Sequence, residues 1–265
     1  MDRQNFHILH YRKVDGFLVT AKNSGTHWLR FMLSHAFAEQ FGHPPPARSS
    51  GPDSDDYIGH PRKGPRWPGT PRIGSSHNIP SRLLASPFVR RLAPLPPTLV
   101  LVRDPYEALQ SFWSKWADHY GGTAEEFAHG DPTGRRYKAD VWWFLHFFNR
   151  WGACAERFPD NVQVLRYEDL QKDPRAGVAA AARWWGVELT DAALDKAVAA
   201  GSRGAVSAAL DAQGAERGVV SDPAERAARR FSPAHLKVLE EILSRRLRHD
   251  FGYGVVGRER LAEAA

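Results

Sequence analysis

The chain has 265 residues, of which 42% are hydrophobic and 25% charged, so its composition is that of a folded globular protein and excludes wholesale disorder. Its formal net charge of +6 favours an anionic partner, for which nucleic acid, a membrane surface and a polyanionic cofactor all qualify. Cys154 is the only cysteine, which excludes an intramolecular disulfide and a cysteine-based zinc site.

The first predicted element is a strand that leads through a glycine-containing loop into a helix. Residues 16–20 form a short apolar run with β-branched side chains, and apolar residues recur at helical spacing from Leu29 onward. The helix is predicted to end before Gly42, because the prolines at 44–46 cannot continue it. From about 43 to 71 the chain is dense in Pro, Gly, Ser and Asp, which predicts a long irregular excursion.

The rest of the chain alternates predicted strands with predicted helices. Strands are expected at 72–77, 97–103 and 161–166, and the second of these is a continuous apolar run of the kind found in parallel sheets covered on both faces. Helices are expected after 78–81, from Pro105, over 141–158, from Pro174 to Trp185, over 191–200 and from Pro233 to about 248. The alternation predicts an α/β fold, with a single domain over residues 1–265 and a central, mainly parallel sheet flanked by helices.

The loop at residues 22–28 reads Lys-Asn-Ser-Gly-Thr-His-Trp. A strand that runs through such a turn into a helix directs backbone N–H groups and the positive helix end at one point, which is an anion site. Lys22 adds a full positive charge, Gly25 allows close approach of the backbone, and two hydroxyls add donors. The order of lysine and glycine differs from that of the nucleotide-kinase loop. A helix start with Ser24 or Thr26 as an ordinary cap is the alternative interpretation.

Two further segments follow predicted strands. Arg103-Asp-Pro ends the strand at 97–103, and Ser111 comes eight positions after Arg103. An arginine can donate two hydrogen bonds to phosphate oxygens, and a hydroxyl two turns into the following helix can reach the same phosphate. The second segment, Leu-Arg-Tyr-Glu-Asp-Leu at 165–170, follows the last predicted strand.

These three segments resemble, in order, the phosphosulfate loop, the Arg-Asp-Pro strand end and the Arg-Tyr-Glu-Asp-Leu segment of sulfotransferases. That family uses 3′-phosphoadenosine 5′-phosphosulfate (PAPS) and releases 3′-phosphoadenosine 5′-phosphate (PAP). The resemblance implies that Lys22 is catalytic and stabilises the leaving group, and that Arg103 and Ser111 share the 3′-phosphate. The other cofactor contacts that it implies within these segments are Asn23, Ser24, Gly25, Thr26, His27, Trp28 and Tyr167. Asn23 and His27 depart from the family's Lys-Ser-Gly-Thr-Thr-Trp loop.

Some of these residues also have a structural interpretation. Trp28 matches the tryptophan that packs on adenine in the family, or it is a core aromatic residue. Glu168 and Asp169 are expected to serve helix capping and internal ion pairs.

The C-terminal third matches the family less well. The family has an Arg-Lys-Gly loop that clamps the 3′-phosphate, whereas this chain offers Arg217-Gly218 or, further upstream, Arg203-Gly204. Arg217 is preferred, because it shortly precedes Phe231-Ser-Pro, which resembles the start of the family's last helix. Ser202 is similarly implied as a cofactor contact.

The segment at 75–80, Ser-Ser-His-Asn-Ile-Pro, resembles the Thr-His-Leu-Pro segment that carries the catalytic base in family members, which implies that His77 is the base. Histidine also has the unperturbed pKa that suits base work at neutral pH. A structural histidine is the alternative, and Asp53, Asp55 and Asp56 remain candidates because some family branches use a carboxylate. No metal-ligand cluster stands out, and sulfuryl transfer has little need of a metal.

The acceptor is expected to be a hydroxyl or amine on a small molecule, glycan or lipid, selected by the excursion at 43–71. One cluster of aromatic residues has two interpretations, core packing and the lining of an apolar acceptor pocket, and helical spacing favours core packing. Its members are Trp113, Trp116, Tyr120, Trp142, Trp143, Phe144 and Phe147. The oligomeric state is left open.

Other functions and the location follow from charge and hydropathy. A P-loop kinase, a non-catalytic polyanion or nucleic-acid binder, and a sulfotransferase fold that binds cofactor without catalysis are the alternatives. Nucleic acid is disfavoured, because the basic residues are spread along the chain without a long basic tail. We expect no integral membrane segment and a cytoplasmic location, because the sequence has no signal peptide and no run of about 18 apolar residues.

Overall fold

The strands of the computed structural model form one central sheet. The structure describes residues 14–48, 55–60, 67–81, 86–92, 95–211, 224 and 229–255. Within these ranges the strands are β1 (Gly16–Thr20), β2 (Ile58–Gly59), β3 (Ile73–Ser76), β4 (Thr98–Val102) and β5 (Val162–Arg166). Their order across the sheet is β2-β3-β1-β4-β5, and every neighbouring pair is parallel. The predicted α/β fold with a parallel sheet is confirmed.

Helices cover both faces of the sheet. In chain order they are α1 (Thr26–Phe41), α2 (Pro87–Leu92), α3 (Pro105–Tyr120), α4 (Ala124–His129), α5 (Val141–Arg157), α6 (Tyr167–Lys172), α7 (Pro174–Trp184), α8 (Asp191–Ala200), α9 (Arg203–Asp211) and α10 (Pro233–Arg246). Buried side chains of α3, α4, α5 and α10 form the core on one face, and those of α1, α6, α7 and α8 form the core on the other.

Alternate residues of the central strands serve these two cores. Phe17 and Val19 of β1 pack with α3 and α5, whereas Leu18 packs with α1 and α7. Because successive strand residues point to opposite faces and both faces are covered, every residue of β1 and β4 is buried. Burial on both faces explains why these two strands are continuous apolar runs in the sequence.

Polar caps fix where two of the predicted helices begin. The Asp104 carboxylate accepts hydrogen bonds from the N–H groups of Tyr106 at 2.9 Å and Glu107 at 3.0 Å. Asp173 accepts one from the N–H of Ala176 at 2.9 Å. Each aspartate is followed by a proline in the first turn, where the missing N–H costs nothing. Both predicted helix starts are confirmed.

Short elements account for the differences from the prediction. The excursion at 43–71 contains β2, so the prediction that it is wholly irregular was wrong; two residues are too few to show a periodic pattern. The helix expected to follow 78–81 is α2, which begins at Pro87, and residues 82–85 lie outside the described part. Helices α4, α6 and α9 were not predicted and have six, six and nine residues.

Candidate active site

Four of the candidate residues follow the carboxyl ends of neighbouring parallel strands. Lys22 lies two residues after β1, and His77, Arg103 and Tyr167 come directly after β3, β4 and β5. Parallel strands bring these ends to one edge of the sheet, which is where open α/β sheets bind ligands. The sheet therefore places side chains that are distant in sequence around one cleft.

The loop between β1 and α1 is built on two left-handed residues. Asn23 has a φ of 58° and Gly25 a φ of 86°, a region that glycine adopts at little cost. A Cβ added to Gly25 would lie 2.6 Å from Cδ2 of Tyr167. Both the backbone angle and this close contact therefore require glycine at position 25.

The loop that precedes α1 contains buried hydrogen-bond donors without partners among the described residues. No side chain caps the helix, and its first turn, which includes the half-buried His27, contains no acidic residue. Within the described residues, Oγ of the fully buried Ser24 and the buried Nδ2 of Asn23 have no hydrogen-bond partner. Buried polar groups are normally paired, so these donors and the positive helix end fit a bound anion such as a phosphosulfate.

Lys22 is held at the edge of this loop. Its ammonium group donates to the backbone carbonyl of Lys138 and lies 5.0 Å from the ring centroid of Trp143. Lys138 precedes α5 and Trp143 lies in its first turn, so the loop is tied to the helix on the other side of the cleft.

Arg103 connects the loop with Tyr167, the first residue after β5. Its Nη1 lies 3.3 Å from the carbonyl oxygen of Asn23, and its guanidinium lies 4.9 Å from the ring centroid of Tyr167. The ion pair with Glu107 is long, at 3.4 Å, and the glutamate is mostly exposed, so this pair adds little stability. Ser111 is half-buried, about two turns into α3.

Trp28 connects α1 with the end of α8. Its Nε1 donates to the carbonyl of Gly201 at 2.8 Å, and its ring contacts Tyr167 edge-on with centroids 5.8 Å apart. Ser202 follows Gly201 and accepts a hydrogen bond from the N–H of Ala205 at 3.3 Å, at the start of α9. Ser202 therefore lies beside the loop and also caps a helix.

His77 is joined to β1 by its Nδ1 atom. This atom lies 2.8 Å from the carbonyl oxygen of Thr20 and 3.0 Å from Thr20 Oγ1, which in turn lies 2.8 Å from Oγ1 of Thr26. A carbonyl oxygen only accepts hydrogen bonds, so Nδ1 carries the proton and Nε2 has the free lone pair. A chain of three side chains thus links the histidine to the first residue of α1.

The surroundings of His77 favour its neutral form. The residue is exposed overall, yet protein atoms crowd the imidazole, and this burial lowers the pKa of His77 below its ordinary value. The hydrogen bond with Thr20 opposes the shift, whereas the charges of Lys22 and Arg30 add to it. The ring is therefore neutral at pH 7 and suited to accept a proton.

The carboxylate candidates lie in the excursion. Asp55 forms an ion pair with Arg30 of α1 at 2.6 Å, and Arg30 also donates to the carbonyl of Ile58 at 2.5 Å. Asp56 is half-buried beside it, and Asp53 lies outside the described residues. Arg30 thus anchors the excursion to α1, one turn from Thr26.

Several predicted residues have structural contacts or lie outside the structure. Glu168 accepts hydrogen bonds from the N–H of Asp104 at 3.0 Å and from the hydroxyl of Tyr253 at 2.5 Å, in agreement with a structural role. Arg217 and Gly218 lie outside the described residues.

The aromatic cluster is mainly core. Trp113, Phe144 and Phe147 are buried, while the other members are partly buried against them. On α5, rings repeat every four residues from Trp143 through Phe147 to Trp151. The Nε1 of Trp151 donates to the carbonyl of Asn78 at 2.9 Å, next to His77.

Two residues of this site were not singled out from the sequence. Thr20 looks like an ordinary β-branched strand residue, and its only distinguishing signal is a hydroxyl at the last position of an apolar strand. Lys138 acts through its backbone, for which a sequence has no signal. Across the described ranges, no group of three or more His, Cys, Asp and Glu residues is placed to hold a metal ion, and no helix there is long and apolar enough to cross a membrane.

Known proteins are similar to this chain in sequence pattern and in fold. A family model of the sulfotransferase domain matches residues 13–203, and no curated protein matches the chain in sequence. Mouse sulfotransferase SULT7A1 complexed with PAP has a TM-score of 0.54, 18% identity, and coverage of 96% of this chain and 90% of that one. Retinol dehydratase in complex with androsterone and inactive cofactor PAP has a TM-score of 0.50 and 15% identity. The match covers 91% of this chain and 83% of that one. At these identities the two structures bear on the fold alone.

Proposed function

The chain belongs to the sulfotransferase domain family, and from that membership we propose that it transfers a sulfuryl group from PAPS to a hydroxyl or amine of an acceptor. The donor, when bound, supplies a sulfuryl group on a phosphate leaving group. The observation that carries the proposal is the arrangement of the β1–α1 loop, His77 and Arg103 at the ends of β1, β3 and β4.

The β1–α1 loop would hold the phosphosulfate. Ser24 Oγ and Asn23 Nδ2 are buried donors without a hydrogen-bond partner among the described residues, no side chain caps the positive end of α1, and Gly25 lets the backbone approach closely. Arg103 would orient the 3′-phosphate together with Ser111, because a phosphate is a stronger partner than the exposed Glu107 carboxylate.

The adenosine end would lie toward α8. Trp28 is half-buried and held by its hydrogen bond to Gly201, so its orientation is fixed before a base packs against it. Tyr167 supports the same surface through its edge-on contact with Trp28. Ser202, Arg217 and Gly218 remain proposed contacts of the same ligand.

His77 would take the acceptor's proton. Its Nε2 has the lone pair, Thr20 fixes the ring, and the lowered pKa keeps the base neutral at pH 7. As the bond from the acceptor atom to sulfur forms, the bond from sulfur to the bridging oxygen breaks, and the proton moves to Nε2. Lys22 would exchange the Lys138 carbonyl for the charge that develops on that bridging oxygen.

Transfer of label from ³⁵S-PAPS tests the proposal. The wild-type chain should sulfate members of a panel of phenols, alcohols and amines, and Lys22→Ala should lower the rate by about 10²–10³-fold, as for removal of one donor to a developing charge. Lys172→Ala, an exposed position at the end of α6, is the matched control and should leave the rate unchanged. Absence of transfer to every acceptor, together with absence of PAP binding, would disprove the proposal.

A further inference from the structure

Two lysines hold their ammonium groups against one indole at the rim of the cleft. The Nζ atoms of Lys115 and Lys138 lie 5.5 Å and 5.6 Å from the ring centroid of Trp116. Within the described part of the chain, neither ammonium group has a carboxylate at ion-pair distance. Two cations therefore share the partly buried indole of Trp116.

Three carboxylates on α3 and α4 form ion pairs with arginines. These pairs are Asp118 with Arg229 at 2.9 Å, Glu126 with Arg136 at 2.9 Å, and Glu107 with Arg103 at 3.4 Å. Asp140 is buried and accepts hydrogen bonds from the N–H groups of Asp131 and Trp143. Among the described residues, these carboxylates are therefore directed to partners other than the two lysines.

The partial burial of the charged Lys115 side chain is unfavourable, and a bound anion would offset this effect. The side chain is partly buried, and this burial lowers the pKa of Lys115. A desolvated cation without an opposite charge is unfavourable, whereas one that meets an anion in the same place forms a strong, charge-assisted contact.

The two lysines come from different parts of the chain, Lys115 from α3 and Lys138 from the segment between α4 and α5. The backbone carbonyl of Lys138 accepts the hydrogen bond from Lys22, so Lys138 is fixed beside the proposed catalytic lysine. Lys115 lies four residues after Ser111 on α3, which places the two side chains on the same face of the helix.

We infer that the acceptor carries an anionic group, a carboxylate, sulfate or phosphate, which binds between Lys115 and Lys138 while a flat apolar part of the acceptor lies on Trp116. This inference rests on the proposed function. The competing use for the two lysines is the 3′-phosphate of the donor, because Lys115 shares a helix face with Ser111. The two uses differ in which ligand loses affinity when the lysines are neutralised.

Binding of a matched pair of phenols tests the inference. The probes are 6-hydroxy-2-naphthoate and its neutral methyl ester, titrated by calorimetry into protein saturated with PAP. The wild type should bind the acid about tenfold or more tightly than the ester, the effect of a charge-assisted contact. Lys115→Gln/Lys138→Gln should remove that preference and leave the affinity for PAP unchanged. Lys196→Gln, an exposed position on α8, should keep the preference.

Three results of these titrations would overturn the inference alone. They are equal or tighter binding of the ester by the wild type, an acid preference that survives in the double variant, and a loss of PAP affinity in the double variant as large as the loss for the acid. Transfer of label to the neutral ester as efficiently as to the acid would also overturn it while leaving the proposed function intact. Absence of PAP binding by the wild type would overturn both.

Discussion

Replacing His77 by asparagine separates the roles of the two imidazole nitrogens. The Nδ1 atom lies 2.8 Å from the Thr20 carbonyl oxygen, and an asparagine amide placed near that position donates to the same carbonyl. Asparagine has no atom at the position of Nε2, so the variant keeps the anchor and loses the base. We expect kcat to fall by about 10²–10⁴-fold, which corresponds to roughly 3–5 kcal/mol in the barrier. The affinity for PAP, measured by calorimetry, should not change.

The pH dependence of the rate is a second test of His77 as the base. Burial and then the positive charges of Lys22 and Arg30 lower the pKa of His77 below its ordinary value of 6.5. The protonated ring cannot act as a base, so activity is lost only when the pH falls through the lowered pKa. Initial rates at saturating donor should therefore be constant around pH 7 and decline below pH 6.5, and His77→Asn should lack this acid limb.

Two results would refute this reasoning. A near-wild-type kcat in His77→Asn would show that another group accepts the proton, with Asp55 and Asp56 as the next candidates. An acid limb that persists unchanged in the variant would show that the limb belongs to a different group. A loss of PAP affinity in parallel with kcat would instead assign His77 to binding.

Three further substitutions test the loop and its supports. Thr20→Val removes the hydroxyl between Thr26 and His77, so kcat should fall by about 5–30-fold, the effect of roughly 1–2 kcal/mol. Thr20→Ser keeps the hydroxyl and should have a kcat near that of the wild type. An unchanged kcat in Thr20→Val would contradict the role of the hydroxyl. Gly25→Ala should lower the melting temperature and the affinity for PAP more than Gly42→Ala does. Both glycines have a positive φ, but only at Gly25 would the added Cβ lie within 4 Å of Tyr167. Equal effects of the two substitutions would contradict this prediction. Asp104→Ala should lower the free energy of unfolding by about 0.5–2 kcal/mol in chemical denaturation, and no loss would argue against the cap.

The larger elements of the fold can be predicted from local sequence. Strands β1 and β4 are apolar runs because both of their faces are buried, and the helices α3 and α7 begin at aspartates that precede prolines. Strand β2 and the helices α4, α6 and α9 have two to nine residues, too few turns or alternations for a periodic pattern to appear.

The site is predictable where motif residues follow strands, and not where contacts depend on the sheet's register. Lys22, Arg103 and Tyr167 reach one edge because parallel strands end there. The contact of Thr20 with His77 follows instead from the pairing of β1 with β3, which sets Val19 opposite Ser76. The contact of Lys22 with the Lys138 carbonyl joins residues 116 positions apart, and no local pattern encodes it.

Calorimetric titration of the wild-type chain with PAP, without magnesium, tests most directly whether the β1–α1 loop is a site for this nucleotide. We predict saturable binding to one site, weakened by Ser24→Ala and by Arg103→Ala, because these side chains would contact the two phosphate ends of the ligand. The proposed function would be contradicted by absence of PAP binding together with tight binding of ATP and Mg²⁺, the behaviour of a P-loop kinase.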